Sequence, residues 1–132
     1  MKKKSEKQKL KEKAWKLFSQ WIRRRDANKD GYVNCVTCGK LGYWEKDGIQ
    51  AGHFISGRTL SILFDHRNCH PQCYSCNVGR GGSYVEYFIF MEEKYGREVI
   101  DELRRLKYQS RKYTIGDYKE LIDELSRYLE EL

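Results

Sequence analysis

Between residues 10 and 26 the apolar positions recur at helical spacing. Leu10, Ala14, Leu17, Phe18, Trp21 and Ile22 fall on one face, and Arg23, Arg24 and Arg25 close the segment before the polar run 26–31 breaks it at Gly31. The lysine-rich residues 1–9 read as a frayed arm. Alternating and β-branched positions then predict short extended segments at 32–35, 49–55, 61–64 and 68–72. Pro71, the only proline, holds off helix until about residue 73. A short helix should follow and end at Gly79-Arg80-Gly81-Gly82. Ser83-x-x-Glu86 has the form of a capping box opening a helix over 84–95, with Gly96 ending it. A further helix is predicted over 97–108. Thr114-x-x-Asp117 caps a last one, whose apolar face carries Ile115, Tyr118, Leu121, Ile122, Leu125 and Leu129. The pattern is α+β within one domain: a basic arm and amphipathic helix over 1–30, a core over 31–82, and a helical segment over 83–132 packed on that core.

Charge changes this picture by giving it a direction. The chain carries 26 Lys and Arg against 19 Asp and Glu, a net charge of +7. Residues 1–30 hold 12 basic and 4 acidic residues (+8), and residues 114–132 hold 2 basic and 6 acidic (−4). A basic front and an acidic end predict one surface that meets a polyanion, nucleic acid first among them, and one that avoids it. No stretch approaches the ~20 apolar residues of a membrane span, and Met1-Lys2-Lys3-Lys4 is followed by charge rather than by the apolar run of a secretory leader. The expected compartment is therefore reducing and cytoplasmic, with no membrane partner.

In such a compartment, paired cysteines point to metal before disulfides. Cys35-Val36-Thr37-Cys38 and Cys73-Tyr74-Ser75-Cys76 are two CxxC units with 34 residues between them, and Cys69 is the fifth, unpaired cysteine. Each unit offers two thiolates on one tight turn. Together they predict a tetrahedral structural zinc site, one ion per chain, with no position open for catalysis. A redox CxxC normally occurs once, so the doubling argues against it. Asp26, Asn28 and Asp30 have calcium-loop spacing, but the closing Glu of that twelve-residue pattern is missing.

The enclosed residues carry the more specific signal. Cys-x-x-Cys-Gly is followed by Ala51-Gly52-His53-Phe54 and then by Phe-Asp-x-x-Asn-x-His-x-Gln-Cys-x-x-Cys-Asn over residues 64–77. With a Gly-rich turn and a Tyr-Gly-x-Glu-Val run at 95–99, this resembles the phage NinG (Rap) recombination proteins over residues 15–125. Those proteins are similar in plan to the His-Me finger, or ββα-metal, nucleases, which include the HNH enzymes and phage endonuclease VII. The resemblance implies that His53 is the general base, that Asn68 braces the loop carrying it, and that Asn77 holds a catalytic Mg²⁺ or Mn²⁺. Gly52 occupies the place where most HNH enzymes put a second metal ligand. His70 is the first candidate to replace it, since it shares the extended segment with Asn68; Asp65 and Glu86 follow.

The residue types fit phosphodiester hydrolysis. A neutral imidazole takes a proton from water near pH 7, and magnesium accepts a single amide oxygen when phosphate and water supply the rest. Arg58, Arg67 and Arg80 flank the site in sequence, and Arg23, Arg24 and Arg25 extend it as phosphate contacts. With no base-reading helix, DNA shape or branching is the expected cue. The expected function is a metal-dependent, structure-selective DNA endonuclease of phage or prophage recombination, acting on branched duplex and leaving a 5′ phosphate. The alternative is an inactive zinc module that binds branched DNA or a recombination partner. Paired incision across a junction would call for a homodimer, and the sequence leaves oligomeric state open.

Overall fold

The computed structural model describes residues 3–56 and 59–132. Helix α1 (Glu6–Arg25) begins earlier than its apolar face predicts. The cause is a cap: Ser5 Oγ accepts from the Gln8 amide, and Gln8 Oε1 accepts from the Ser5 amide. This reciprocal pair satisfies two orphan donors and carries the helix through residues expected to fray. At the other end, Asn28 Oδ1 accepts from the Asp30 and Tyr32 amides. The polar run is therefore an Asx turn, not a cation loop.

Strand β1 (Tyr32–Asn34) pairs antiparallel with β2 (Leu41–Tyr43), an element the sequence pattern did not announce. Cys35-Val36-Thr37-Cys38 forms the turn of this hairpin, closed by Cys35 N–H on Lys40 O and Gly39 N–H on Cys35 O, both 2.8 Å. A second antiparallel pair joins β3 (Ile49–His53) to β4 (Cys69–Cys73), with Gly52 opposite His70 and His53 opposite Cys69. A wide helical turn, Ser75–Gly79, follows β4 directly.

Between β3 and β4 the chain forms a short helix, α2 (Leu60–Leu63), where the sequence predicts an extended segment. Ile62 and Leu63 are both fully buried, but in different clusters. The helical turn lies between the two clusters and contributes one residue to each. Helices α3 (Tyr84–Tyr95), α4 (Arg97–Lys107) and α5 (Ile115–Glu130) match their predicted positions. The cap of α3 does not: Ser83 has φ 49°, ψ 54° and makes no side-chain cap bond. It follows Gly81 and Gly82, also at positive φ, and a left-handed residue cannot aim its hydroxyl along the helix as an extended N-cap does. Thr114 is extended and forms the expected reciprocal cap with Asp117.

The β3–β4 sheet separates two hydrophobic clusters. On one side Ala14, Phe18 and Ile22 of α1 meet Tyr118, Ile122 and Leu125 of α5, with Leu63, Phe64 and Cys69. On the other, Tyr87 and Met91 of α3 and Ile100 and Leu103 of α4 pack with Phe54, Ile55 and Ile62. Among the described residues, no helix is long and apolar enough to cross a membrane.

Candidate metal centre and adjoining cleft

Cys35 and Cys38 sit on the hairpin turn, and Cys73 and Cys76 on the end of β4 and the helical turn after it. The hydrogen bond from Val36 N to Pro71 O, 3.0 Å, brings the two units together. All four sulfurs lie within 4.8 Å of one another, and Cys38 and Cys73 are 3.7 Å apart. A tetrahedral zinc with Zn–S of ~2.3 Å requires sulfurs ~3.8 Å apart, so the donor set fits one zinc ion. Among the described residues this is the only cluster of His, Cys, Asp and Glu arranged to hold a metal. Burial would raise the Cys35 thiol, but the Thr37 hydroxyl and the amides of Cys73, Cys38 and Thr37 bring it down to about 6. Cys38 moves the other way, to about 12. The Lys40 amide favours its thiolate, but burial and the neighbouring sulfurs of Cys35, Cys73 and Cys76 outweigh that. Four sulfurs this close ionise together only around a cation. Cys69 stands apart, fully buried, its thiol held up at about 12 by that burial.

Beside this frame lies an open cleft of about 530 Å³ lined by Trp15, Ser19, Arg23, Gln50, His53 and Asn77, among others. The fold thus brings His53 and Asn77, 24 residues apart in sequence, to one cavity. His53 Nε2 lies 3.1 Å from the Leu63 carbonyl. A carbonyl only accepts, so Nε2 carries the proton and Nδ1 is the basic nitrogen. Trp15 of α1 stacks on the imidazole at 5.3 Å and 19°. Asn77 Nδ2 donates to Gln50 Oε1 at 2.7 Å, which orients the amide and makes Oδ1 the atom left for a cation or a solvent proton.

Asn68 is fully buried and grips the chain two residues beyond His53. Its Oδ1 accepts from Ile55 N (2.9 Å), and its Nδ2 donates to Ile55 O (3.2 Å). The loop that carries the histidine is thereby fixed by one side chain.

His70 is not a second ligand. It is fully buried on the opposite face of the sheet, and both ring nitrogens are engaged: Nδ1 with Tyr87 OH at 3.0 Å and Nε2 with Tyr95 OH at 2.8 Å. Tyr87 OH donates its one hydrogen to Gly52 O at 2.7 Å. It must then accept from His70 Nδ1–H, and Nε2 accepts from Tyr95. This relay of neutral groups ends on the carbonyl just before His53. Burial, with lesser contributions from Arg25, Lys94 and His66, pushes the His70 imidazole down to about 2.

Asp65 is also elsewhere, with both oxygens on Arg67. Glu86 is an exposed residue of α3. Gly52 leaves no room for a ligand: a Cβ there would lie 1.9 Å from Gln72 Oε1. Gln72 is held in place by Nε2 bonds to Thr37 Oγ1 and Gly82 O. Its Oε1 is buried without a hydrogen-bond partner among the described residues.

The arginines divide sharply. Arg67 is committed to Asp65 and Glu102, at 2.9 and 2.8 Å, and does not face the cleft. Arg25 latches α1 to the carbonyls of His66 and Cys69 at 2.9 and 2.8 Å. Both were expected on phosphate and instead bond carbonyls or carboxylates of this chain. Arg23 lines the cleft, donating from Nε to Ser19 O and from Nη1 to Trp44 O, and burial lowers its pKa. Arg24 lies over Trp44 at 5.0 Å, and Arg80 is exposed. Arg58 falls outside the described residues.

Sequence reasoning missed Trp15, Gln50 and Gln72. Trp15 lies one position off the helical stripe that marks the core, and a glutamine in a strand carries no periodic signal. Only their neighbours across the fold give them a role.

No solved structure matches this chain. Among curated proteins it is similar to Protein ninG of Escherichia phage lambda and to that of Salmonella phage P22, each 27% identical over 135 residues, covering 96% of this chain and 64% of the relative. Protein ninG of Escherichia phage 933W is 25% identical over the same span. The chain therefore spans about 64% of the length of these relatives. A family model described as Bacteriophage Lambda NinG protein matches residues 1–132. A family match over the whole of residues 1–132 settles the membership: this chain belongs to the NinG family.

Proposed function

We propose that this chain is a metal-dependent DNA endonuclease of the His-Me finger type, acting on branched duplex in phage recombination. One observation carries the reading: His53, with its proton fixed on Nε2, and Asn77, with its amide turned by Gln50, line a single open cleft beside the cysteine frame. The antiparallel pair β3–β4, followed by a helical turn bearing Asn77, supports the ββα-metal reading.

The hydrolysis divides among few groups. His53 Nδ1 accepts a proton from a water as its oxygen attacks phosphorus. The bond from phosphorus to the 3′ oxygen breaks, the 3′ oxygen takes up a proton, and the phosphate stays on the 5′ side. Mg²⁺ or Mn²⁺, when bound, supplies Lewis-acid stabilisation of the phosphate and the leaving oxygen. Asn77 Oδ1 is the residue atom that would hold it. Arg23 at the rim adds positive charge, and Trp15 holds the imidazole plane. Zinc on the four cysteines fixes the hairpin to the sheet and takes no part in the chemistry.

Gly52 favours a second reading, an inactive module that binds branched DNA, because the usual second ligand is absent and its place is filled by Gln72. One experiment separates the two. The zinc-loaded protein is incubated with branched and linear duplex and with Mg²⁺ or Mn²⁺, alongside His53→Ala and Asn77→Ala. Cleavage by the parent that both substitutions abolish supports the nuclease. Cleavage that survives both sinks the site, and tight branched-DNA binding without cleavage selects the module.

A further inference from the structure

A second cleft, of about 690 Å³, opens on the far side of the loop that carries His53. Phe54 and Ile55, the two residues after the histidine, form its floor, and Ser56 lines both clefts. The two therefore adjoin at one exposed serine. The second differs in chemistry. The Tyr84 ring lies flat on Phe54 at 5.2 Å and 6°, and Tyr84 is still 54% exposed. Tyr108, at the end of α4, is 84% exposed, the most open large hydrophobic side chain among the described residues. Arg104, Arg105 and Lys107 line the same cleft against one carboxylate, Asp101. Asp101 engages Arg104 only loosely, at 3.6 Å in solvent.

Exposed apolar surface that is rimmed by charged residues marks an interaction site, and here the rings are set among cations. Flat aromatic faces with a positive rim are the elements that hold unpaired nucleotides: each base offers a π-face to a ring, and each phosphate meets an arginine or lysine. A paired duplex offers no such faces, since its bases are stacked on each other. We infer that this cleft binds an unpaired, single-stranded segment of nucleic acid, with bases on Tyr84 and Tyr108 and phosphates on Arg104, Arg105 and Lys107, beside the cleft that holds His53. The inference rests on the nucleic-acid reading above and deepens it: branching would be sensed through the unpaired arm, which leaves the first cleft over Ser56 and enters the second.

The test uses the full zinc-loaded chain without added magnesium or manganese. Fluorescence anisotropy is measured with labelled oligo(dT) of about a dozen nucleotides, a blunt duplex, and a duplex with one single-stranded arm. The expected result is that Tyr108→Ala and the double change Arg104→Ala/Arg105→Ala weaken oligo(dT) and the armed duplex about ten-fold or more. Blunt-duplex affinity stays as in the parent, and Tyr108→Phe behaves as the parent. A 2-aminopurine in the arm should be quenched by the parent and by Tyr108→Phe but not by Tyr108→Ala. Because Tyr108 is so exposed, its truncation leaves the core intact, which an unchanged thermal midpoint verifies. Oligo(dT) binding indifferent to Tyr108→Ala overturns the inference, as does equal weakening of blunt duplex. A loss on arginine removal alone would mark a plain electrostatic surface and also overturns it. A parent that binds no nucleic acid removes the nuclease reading as well. A parent that cleaves branched DNA while ignoring every change in this cleft removes this inference alone.

Discussion

His53 and His70 lie on neighbouring strands of one small sheet, yet they have opposite surroundings. His53 faces α1, half-buried at the mouth of a cleft, with one nitrogen pinned to a carbonyl and an indole against its ring. His70 faces α3, fully buried, with both nitrogens spent on tyrosine hydroxyls. The first keeps a basic nitrogen beside a cavity. The second is locked neutral and passes a hydrogen-bond relay to the carbonyl of Gly52. The same side-chain type thus lines an open cleft on one face and anchors a buried hydrogen-bond relay on the other. Proximity to a motif says little about which; burial and the cavity each residue lines say more.

The most severe way to break the contrast is to remove what both faces share. Stripping zinc, or replacing Cys73 with Ser, should release the hairpin from the sheet and abolish cooperative unfolding near ambient temperature. Structural zinc sites contribute on the order of 10 kcal/mol, comparable to the whole stability of a domain. Circular dichroism melts with zinc content measured in parallel check this, with one zinc per chain expected in the folded form.

Next comes the functional face. His53→Ala should lower cleavage by about 10²- to 10⁴-fold, the scale of a lost general base, while moving the urea midpoint little. A large fall in stability without loss of cleavage would reverse the roles assigned to the two histidines. His70→Ala should do the opposite. It should cost about 2–4 kcal/mol, because it opens a cavity and orphans the Tyr87 and Tyr95 hydroxyls, and any loss of activity should track the unfolded fraction. Urea unfolding at constant zinc measures it.

The smallest effect is the most specific. Because burial holds the His70 imidazole down near 2 and an unfolded histidine titrates near 6.5, the unfolded state binds the extra proton between these values. Stability from this residue is complete above about pH 7 and falls as pH drops. The zinc-loaded protein should be about 1.4 kcal/mol less stable at pH 5.5 than at 7.5 from this source. His70→Gln should lack that part of the slope, and parallel slopes for parent and variant would show that His70 is not buried neutral.

Much of this was legible in the chain. The cysteine spacing announced a metal frame, the run 51–54 marked His53, the motif 64–77 marked His70 and both asparagines, and helical periodicity placed α1, α3, α4 and α5. The capping box at Ser5 was there to be read but was hidden under the lysines around it. The capping box at Ser83 was read and does not form, because two preceding glycines turn the backbone left-handed. α2 was misread because four residues carry too little periodicity to separate helix from strand, and its form depends on the two cores it divides.

The arginines show the same boundary. Arg25 and Arg67 look like phosphate contacts as long as only sequence proximity is known. In the fold they face carbonyls and carboxylates of their own chain, and a cation so engaged has little left to offer a phosphate. Arg104 and Arg105 are, in sequence, only two of many basic residues available to phosphate, and Tyr108 carries no signal there, yet all three line the second cleft beside the His53 loop.

By itself, the sequence determined the four cysteines that come together, the helices α1, α3, α4 and α5, and the candidate base. These depend on residue type and local spacing, which the chain carries directly. Only the tertiary structure decided which histidine is open and which is sealed, that Gly52 is barred from holding a ligand by Gln72, and which arginines remain at the surface. Those outcomes depend on what lies across the sheet, and sheet partners here are about 20 residues apart in sequence, beyond the reach of any local pattern.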